Sequence, residues 1–368
     1  MTRLKARYCN SPIPPERISK IQLKCQALDL DALIISDIKN IRYLTGFTGS
    51  DGVVMIGEKQ KLLLVDGRYI NQAKKEVVGV EVVEYQEKID GIEAVLSDCS
   101  VKSVGFESMA INVNTYLKLK EKLKSVILKP MSDDINAIRT VKDEQEIACL
   151  RKAAEISFQA LTAVCDLIKP GVKEKDIAIE LEFRVRKCGA ELVSFPTIVA
   201  TGANSAKPHA APGSREIESG DIVMIDYGAV YHGYHSDETC TFVVGRADKK
   251  QKEVYSLVKK AHDNALEAIK TGTQCREIDR IARSCIEGRN LGKFFTHGTG
   301  HGVGLDVHEA PRIADKSVDI LETGMVITIE PGVYLPALWG IRIEDMILVK
   351  EEGGEVLTKV PKDLTILH

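Results

Sequence analysis

Asp221-Ile-Val-Met-Ile-Asp226-Tyr-Gly228 and Ser236-Asp237-Glu-Thr-Cys-Thr-Phe-Val-Val244 decide how this 368-residue chain is read. Each is a β-rich run interrupted by an acid, and Gly233 lies between them, so an antiparallel hairpin is expected. A turn centred between Tyr231 and His232 sets Asp226 directly across from Asp237, with side chains about 5 Å apart. Two carboxylates that close repel unless a cation lies between them.

The arrangement returns at Met325-Val-Ile-Thr-Ile-Glu330-Pro-Gly332 and Gly340-Ile-Arg-Ile-Glu344-Asp345. Here a turn centred on Ala337 sets Glu330 across from Glu344. A single acid at a strand end ordinarily faces solvent. Two matched hairpins, each with an acid where burial calls for an apolar side chain, point instead to metal coordination, because an unpaired buried charge is very costly.

Between the hairpins, His297-Gly-Thr-Gly-His301-Gly-Val-Gly-Leu-Asp-Val-His308-Glu309 holds three of the chain's eight histidines. Four glycines in eight positions make a helix improbable, so the segment is not the helical H-E-x-x-H zinc pattern. Extended or looped backbone is expected, with the glycines beside His297 and His301 leaving room for a ligand.

Working outward, the helical pattern opening at Lys142-Asp-Glu-Gln-Glu146 runs through Ile168 to a stop at Pro170-Gly171. A second amphipathic helix, about Glu174 to Cys188, ends at Gly189 with Arg184, Arg186 and Lys187 suiting its dipole. Two more are expected around Gln251 to Lys270 and Cys275 to Arg289. Upstream, Ala32-Leu-Ile-Ile-Ser36, Gly52-Val-Val-Met-Ile-Gly57 and Lys61-Leu-Leu-Leu-Val65 read as strands, and a helical stretch follows Asp66-Gly67. Asp133-Asp134 is read as the cap of a short helix to Arg139, and the domain boundary is set close to residue 134. All histidines lie beyond that boundary, from His209 onward. No repeat of the kind that builds a solenoid is evident.

Bulk properties narrow the partners. Lys plus Arg number 50 against 53 Asp plus Glu, a formal charge of -3, which makes no electrostatic case for nucleic acid or an anionic membrane. No secretory signal or membrane-spanning run is evident, so a cytoplasmic protein is expected. The nine cysteines are scattered and odd in number, without a C-x-x-C pair, which suits buried free thiols rather than disulfides or structural zinc.

Together these motifs resemble the pita-bread metallopeptidases: Xaa-Pro aminopeptidases (aminopeptidase P), prolidases and, more distantly, methionine aminopeptidases and creatinase. The resemblance takes in Asn40-Ile-Arg-Tyr-Leu-Thr-Gly-Phe-Thr-Gly-Ser-Asp51 and the whole pattern from Pro208-His209 to Glu344. It implies an α+β fold, with a creatinase/prolidase-like α/β domain over residues 1–134 and a pita-bread catalytic domain over 135–368. It also implies a homodimer. Methionine aminopeptidase is disfavoured by the amino-terminal domain, and the intact ligand set disfavours creatinase or a non-catalytic binding relative.

By the same resemblance, Asp226, Asp237, His301, Glu330 and Glu344 hold two divalent ions. Oxygen-rich ligation with one imidazole suits Mn(II), with Co(II) or Zn(II) as substitutes. Glu330 is the expected proton acceptor, His308 the stabiliser of the carbonyl oxygen, and His209, His297 and Arg342 the contacts to substrate. Peptides with proline in second position are the expected substrates. Removal of their first residue is the leading reading, and dipeptide-specific cleavage, a prolidase, is the alternative. Cys240 departs from the family's S-D-x-T-R-T form, which carries arginine there. Trp339 is read as either pocket lining or packing.

Overall fold

A computed structural model describes residues 13–132 and 135–368, so the Asp133-Asp134 cap lies outside the described residues. The chain divides into two compact units, with the boundary between Arg139 and Thr140.

In the first unit, strands β1 (Ala32–Ile35), β2 (Val53–Gly57), β3 (Lys61–Asp66), β4 (Glu81–Tyr85), β5 (Ser103–Glu107) and β6 (Ile127–Met131) make one mixed sheet, ordered β4-β3-β2-β1-β5-β6. Strands β1 and β2 are buried throughout, which explains their continuous rather than alternating apolar runs. Helices α1 (Pro15–Ala27), α2 (Ile38–Thr45), α3 (Ile70–Glu76), α4 (Lys88–Asp98) and α5 (Val113–Lys122) complete the unit. The Asn40–Asp51 segment begins on α2, which Asp37 caps through the Lys39 amide and Gly46 closes at φ +77°. Buried Glu107 accepts from the amides of Ser36 and Asp37 and from the Asn40 side chain, which anchors that segment on the sheet.

The second unit opens with α6 (Glu144–Thr162), whose Asp143 and Glu146 form a reciprocal capping box. The α-helix stops at Thr162, short of the expected Ile168, and the chain tightens into a 3-10 turn at Cys165–Leu167. Ile168 stays in the core, and Pro170, which disfavours helical geometry at the residue before it, keeps the α-helix from resuming ahead of Gly171. Helix α7 (Glu174–Lys187) follows, then strands β7 (Leu192–Val193), β8 (Ile198–Thr201), β9 (Ile222–Tyr227), β10 (Ala229–Tyr231), β11 (Tyr234–His235) and β12 (Glu238–Val244). Next come α8 (Lys249–Glu267) and α9 (Cys275–Glu287), then β13 (Gly300–Gly302), β14 (Glu309–Ile313), β15 (Val326–Ile329), β16 (Gly332–Leu335), β17 (Trp339–Arg342), β18 (Asp345–Val349), β19 (Gly354–Val356) and β20 (Thr365–Leu367).

This unit is built twice from one pattern, a repeat with too little residue identity to stand out on first reading. Ile168-Lys-Pro-Gly171 leads into α7 as Ile269-Lys-Thr-Gly272 leads into α9, with both glycines at positive φ, +85° and +87°. Gly171 donates to the Ile217 carbonyl and Gly272 to the Leu321 carbonyl, in matching bridges. Glu218-Ser-Gly-Asp-Ile-Val-Met-Ile-Asp226-Tyr-Gly228 then matches Glu322-Thr-Gly-Met-Val-Ile-Thr-Ile-Glu330-Pro-Gly332. Each copy has its own core. Leu161, Ile177 and Leu181 pack on Val223 and Ile225 in the first, and Val258, Ile278 and Ala282 pack on Ile327 and Ile329 in the second. Because strand side chains alternate, the residues out of phase with those core positions, Asp226 in one copy and Thr328 and Glu330 in the other, turn away from the helices.

Candidate metal centre

The first hairpin turns at His232-Gly233, both at positive φ (+49° and +79°), a two-residue loop of the I′ kind. Val230 pairs with His235, and Asp226 consequently lies across from Thr239 rather than Asp237. The expected register is therefore off by two residues, because the turn sits one position later than Tyr231-His232. A slip of two keeps every side chain on its face, so Asp226 and Asp237 still share one face as diagonal neighbours. The second hairpin carries the register of a turn centred on Ala337: Ile329 pairs with Asp345 on one side and Gly332 with Arg342 on the other. Glu330 and Glu344 fall level in the gap between those ladders.

His301 is delivered by β13, a short strand paired with β14 and β15. Its flanking glycines serve the backbone more than a ligand. A Cβ at Gly300 would lie 1.9 Å from the Thr328 carbonyl, and one at Gly302 would lie 2.1 Å from that of Ala310. A bulge between His301 and Gly302 shifts the pairing with β14, the local device that aims a side chain out of a regular ladder.

The result is one cluster. Ligand atoms of Asp226, Asp237 and Glu344 lie within 4.8 Å of one another, as do those of His301, Glu330 and Glu344, and those of Asp237, His301 and His308. His301 Nε2 is 3.6 Å from both Asp237 Oδ2 and Glu330 Oε1. Burial, together with the carboxylates of Asp226 and Glu330, pushes Asp237 well above the usual carboxylate range. Glu344 is pushed up in the same way by burial and then by Asp237. Glu330 is lifted to about 7 by burial, against the pull of Arg342. Burial and neighbouring His308 bring His301 down to about 4. A neutral imidazole among acids that resist ionising together is what a divalent cation would stabilise.

The family models agree with this geometry. Metallopeptidase family M24 matches residues 148–351, and the creatinase/prolidase N-terminal domain matches residues 17–141. The chain belongs to metallopeptidase family M24. An Xaa-Pro dipeptidase of Pyrococcus horikoshii is 38% identical over 351 residues, 95% of this chain and 98% of that protein. A solved Xaa-Pro dipeptidase from Bacillus anthracis is 39% identical, with a TM-score of 0.93 over 96% of this chain and 99% of that one. An X-Pro aminopeptidase from Thermotoga maritima is 36% identical, with a TM-score of 0.88 over 94% and 100%. The fold is thus a creatinase-type amino-terminal domain followed by an M24 pita-bread domain, α+β in content, and the chain is a metallopeptidase hydrolase.

Membership in M24 implies divalent metal, and the residues present fit it. Asp226 Oδ1 is buried without a hydrogen-bond partner among the described residues, although its other oxygen accepts from Arg342 at 2.7 Å. A buried carboxylate oxygen without a hydrogen-bond partner, facing two further acids, has the chemistry of a cation ligand. No helix among the described residues is long and apolar enough to cross a membrane.

Around the cluster, His297 is half-buried, with Nε2 2.8 Å from the Tyr334 hydroxyl and Nδ1 3.8 Å from Glu330 Oε2. Burial, then Arg342, lowers it to about 4. His308 packs edge-on against His301 with centroids 4.3 Å apart. His308 and His209 are both exposed. Arg342 is 3% exposed, and it donates to Asp226, Thr239, Tyr334 and the Pro208 carbonyl. Trp339 packs into the core of the second copy.

Three participants escaped the sequence reading. Tyr334 joins Arg342 to His297. Thr239, the residue across from Asp226, donates to Glu344 Oε2 at 2.7 Å, and the strict alternation along β12 was the signal that would have found it. Lys362 answers the question posed by Cys240. Its ammonium lies 3.5 Å from the buried Cys240 sulfur, 2.6 Å from Glu238 and 3.4 Å from Asp345. A cation from the C-terminal segment thus lies beside the position where the resemblance calls for arginine.

Proposed function

We propose that this metallopeptidase is an Xaa-Pro dipeptidase, a prolidase. The observation that carries the reading is its 38% identity, over nearly the whole of both chains, to an enzyme of that description. The solved Bacillus anthracis dipeptidase adds support. Sequence reasoning put the aminopeptidase first, and these relatives move it to second. The Thermotoga maritima X-Pro aminopeptidase keeps it as the competing reading.

Asp226, Asp237, His301, Glu330 and Glu344 are the proposed ligands of two divalent ions, with manganese favoured by the oxygen-rich donor set. Bound there, the ions supply a lowered water pKa and a polarised scissile carbonyl. Glu330 is the proposed proton acceptor. His308 is proposed to donate to the developing oxyanion, a role worth about 3–4 kcal/mol for one well-placed donor. His209 and His297 orient the peptide and assist proton transfer. Arg342, with its guanidinium bonded to Asp226 and Tyr334, contributes to substrate binding through those two groups. The Xaa-Pro amide nitrogen carries no hydrogen, so recognition rests on these side chains rather than on an N–H donor at the scissile bond.

The test is hydrolysis of Ala-Pro and Ala-Pro-Ala by metal-free protein before and after addition of Mn(II). Manganese-dependent cleavage of the dipeptide alone supports the prolidase. Release of alanine from the tripeptide returns the reading to the aminopeptidase, and cleavage of neither sinks both.

A further inference from the structure

The two copies within the catalytic domain differ where the histidine loop must be held. Counting from the shared Ile168-Lys and Ile269-Lys starts, Ala178 and Glu182 of α7 correspond to Asp279 and Arg283 of α9. Asp279 is fully buried, an unusual position for an acid in a helix interior, and it pairs with Arg283 one turn on, with nitrogen-to-oxygen distances of 3.0 and 2.9 Å.

Both side chains spend their remaining bonds on one loop. Asp279 Oδ1 accepts from the Thr299 amide at 3.1 Å and from the Thr299 hydroxyl at 2.8 Å. Arg283 donates to the Phe295 carbonyl at 3.0 Å and to the His297 carbonyl at 2.8 Å, and its guanidinium lies 4.3 Å from the centre of the Phe295 ring. That ring meets the His297 imidazole edge-on, with centroids 5.2 Å apart. The Thr299 carbonyl in turn accepts from the Glu330 amide at 2.7 Å. One helix-borne ion pair therefore grips the backbone on both sides of His297 and, through Thr299, touches the backbone of Glu330. In the first copy neither residue is present: Ala178 carries no polar group, and Glu182 makes a single contact of the opposite sense, accepting from the Thr197 amide at 3.3 Å just ahead of β8.

We propose that Asp279 and Arg283 are positioning residues, which set His297 at its substrate-facing distance from Tyr334 and Glu330. A loop with glycines at 298 and 300 has high conformational freedom in isolation, and charge-assisted bonds to its carbonyls and amides are the strong kind that removes it. The consequence for catalysis rests on the substrate role proposed for His297.

The experiment has two arms. In the first, Arg283→Gln, Arg283→Lys and His297→Ala are assayed on Ala-Pro, together with the Arg283→Gln/His297→Ala double variant. Arg283→Gln is expected to raise KM about tenfold at near-parent kcat and metal content, and Arg283→Lys to restore part of the loss. The double variant should be no worse than His297→Ala. Parent-like kinetics for Arg283→Gln, or a full additional loss in the His297→Ala background, overturns the inference. The second arm needs no activity. Amide hydrogen exchange in Arg283→Gln and Asp279→Asn should speed up over 296–300 while other segments keep parent protection. Unchanged exchange there, or a general loss of protection, overturns the positioning role. An inactive parent with the expected exchange pattern would fault the dipeptidase reading alone.

Discussion

Replacing Lys362 with methionine removes the cation from a buried cluster behind the ligand strands. Its side chain is 6% exposed, Glu238 is fully buried and Asp345 is 6% exposed. At 2.6 Å and an effective dielectric of about 20, the Lys362–Glu238 attraction is about 6 kcal/mol. The variant regains the several kcal/mol spent burying the ammonium. Asp345 keeps His262 at 3.2 Å and the Thr358 hydroxyl, while Glu238 keeps the Tyr227 hydroxyl at 3.1 Å. The net expectation is a loss of about 3–5 kcal/mol, the usual cost of breaking a buried pair from one side. At about 2–4 °C per kcal/mol for a domain of this size, the Tm falls by roughly 6–20 °C. Glu238 is already lifted by burial, and without the lysine it rises further. A folded-state pKa above the unfolded value makes the variant lose stability as pH rises through that value, so its deficit is widest at neutral pH and closes toward pH ~4. Calorimetry of metal-free parent, Lys362→Met and Lys362→Met/Glu238→Gln decides it. The double variant should recover most of the loss, because removing both partners leaves no orphaned charge. A single-variant loss below ~1 kcal/mol, or a double variant no better than the single, refutes the reasoning.

The metal-free protein should lose stability between pH 6.5 and 8. There Glu330, lifted to about 7, and Asp237 and Glu344, with folded pKa values held well above the unfolded ones, resist the ionisation that the unfolded chain has already completed, while the lowering of His297 and His301 to about 4 acts below that window. Divalent ion should flatten the slope and add about 2.7 kcal/mol at a hundredfold excess over Kd; thermal melts that rise with pH in the free protein would contradict this. Glu330→Gln should cut kcat at least a hundredfold at saturating metal, and a variant that binds metal and turns over at the parent rate removes Glu330 as the base. Gly233→Val forces a β-branched residue to φ +79° and should cost about 1–2 kcal/mol, read as a lower Tm; a parent-like melt means the turn is not built as described.

Much of the site is local, and that part was legible in the sequence. A hairpin acid's face follows from the period of two and the turn, so Glu330 and Glu344 could be set level from Ala337 alone. The first hairpin slipped because His232, a non-glycine, takes the left-handed conformation that the sequence reading had no reason to assign it. The face survived because the slip was even. Helix ends followed their punctuation, except at α6, which stops at Thr162, well ahead of Pro170.

What the sequence by itself determined was which residues bear the chemistry: acids where apolar side chains belong, histidines among glycines, and the fold whose pattern they complete. Which groups neutralise, grip and orient them was decided only in three dimensions. Lys362 reaches Glu238 across 124 positions and Thr239 reaches Glu344 across 105, and Arg283 finds the His297 carbonyl only because α9 packs beside β14. Periodicity and turn chemistry act over a few residues. The partner of a buried charge is whichever group the folded core brings within about 3 Å, and no local rule encodes that meeting.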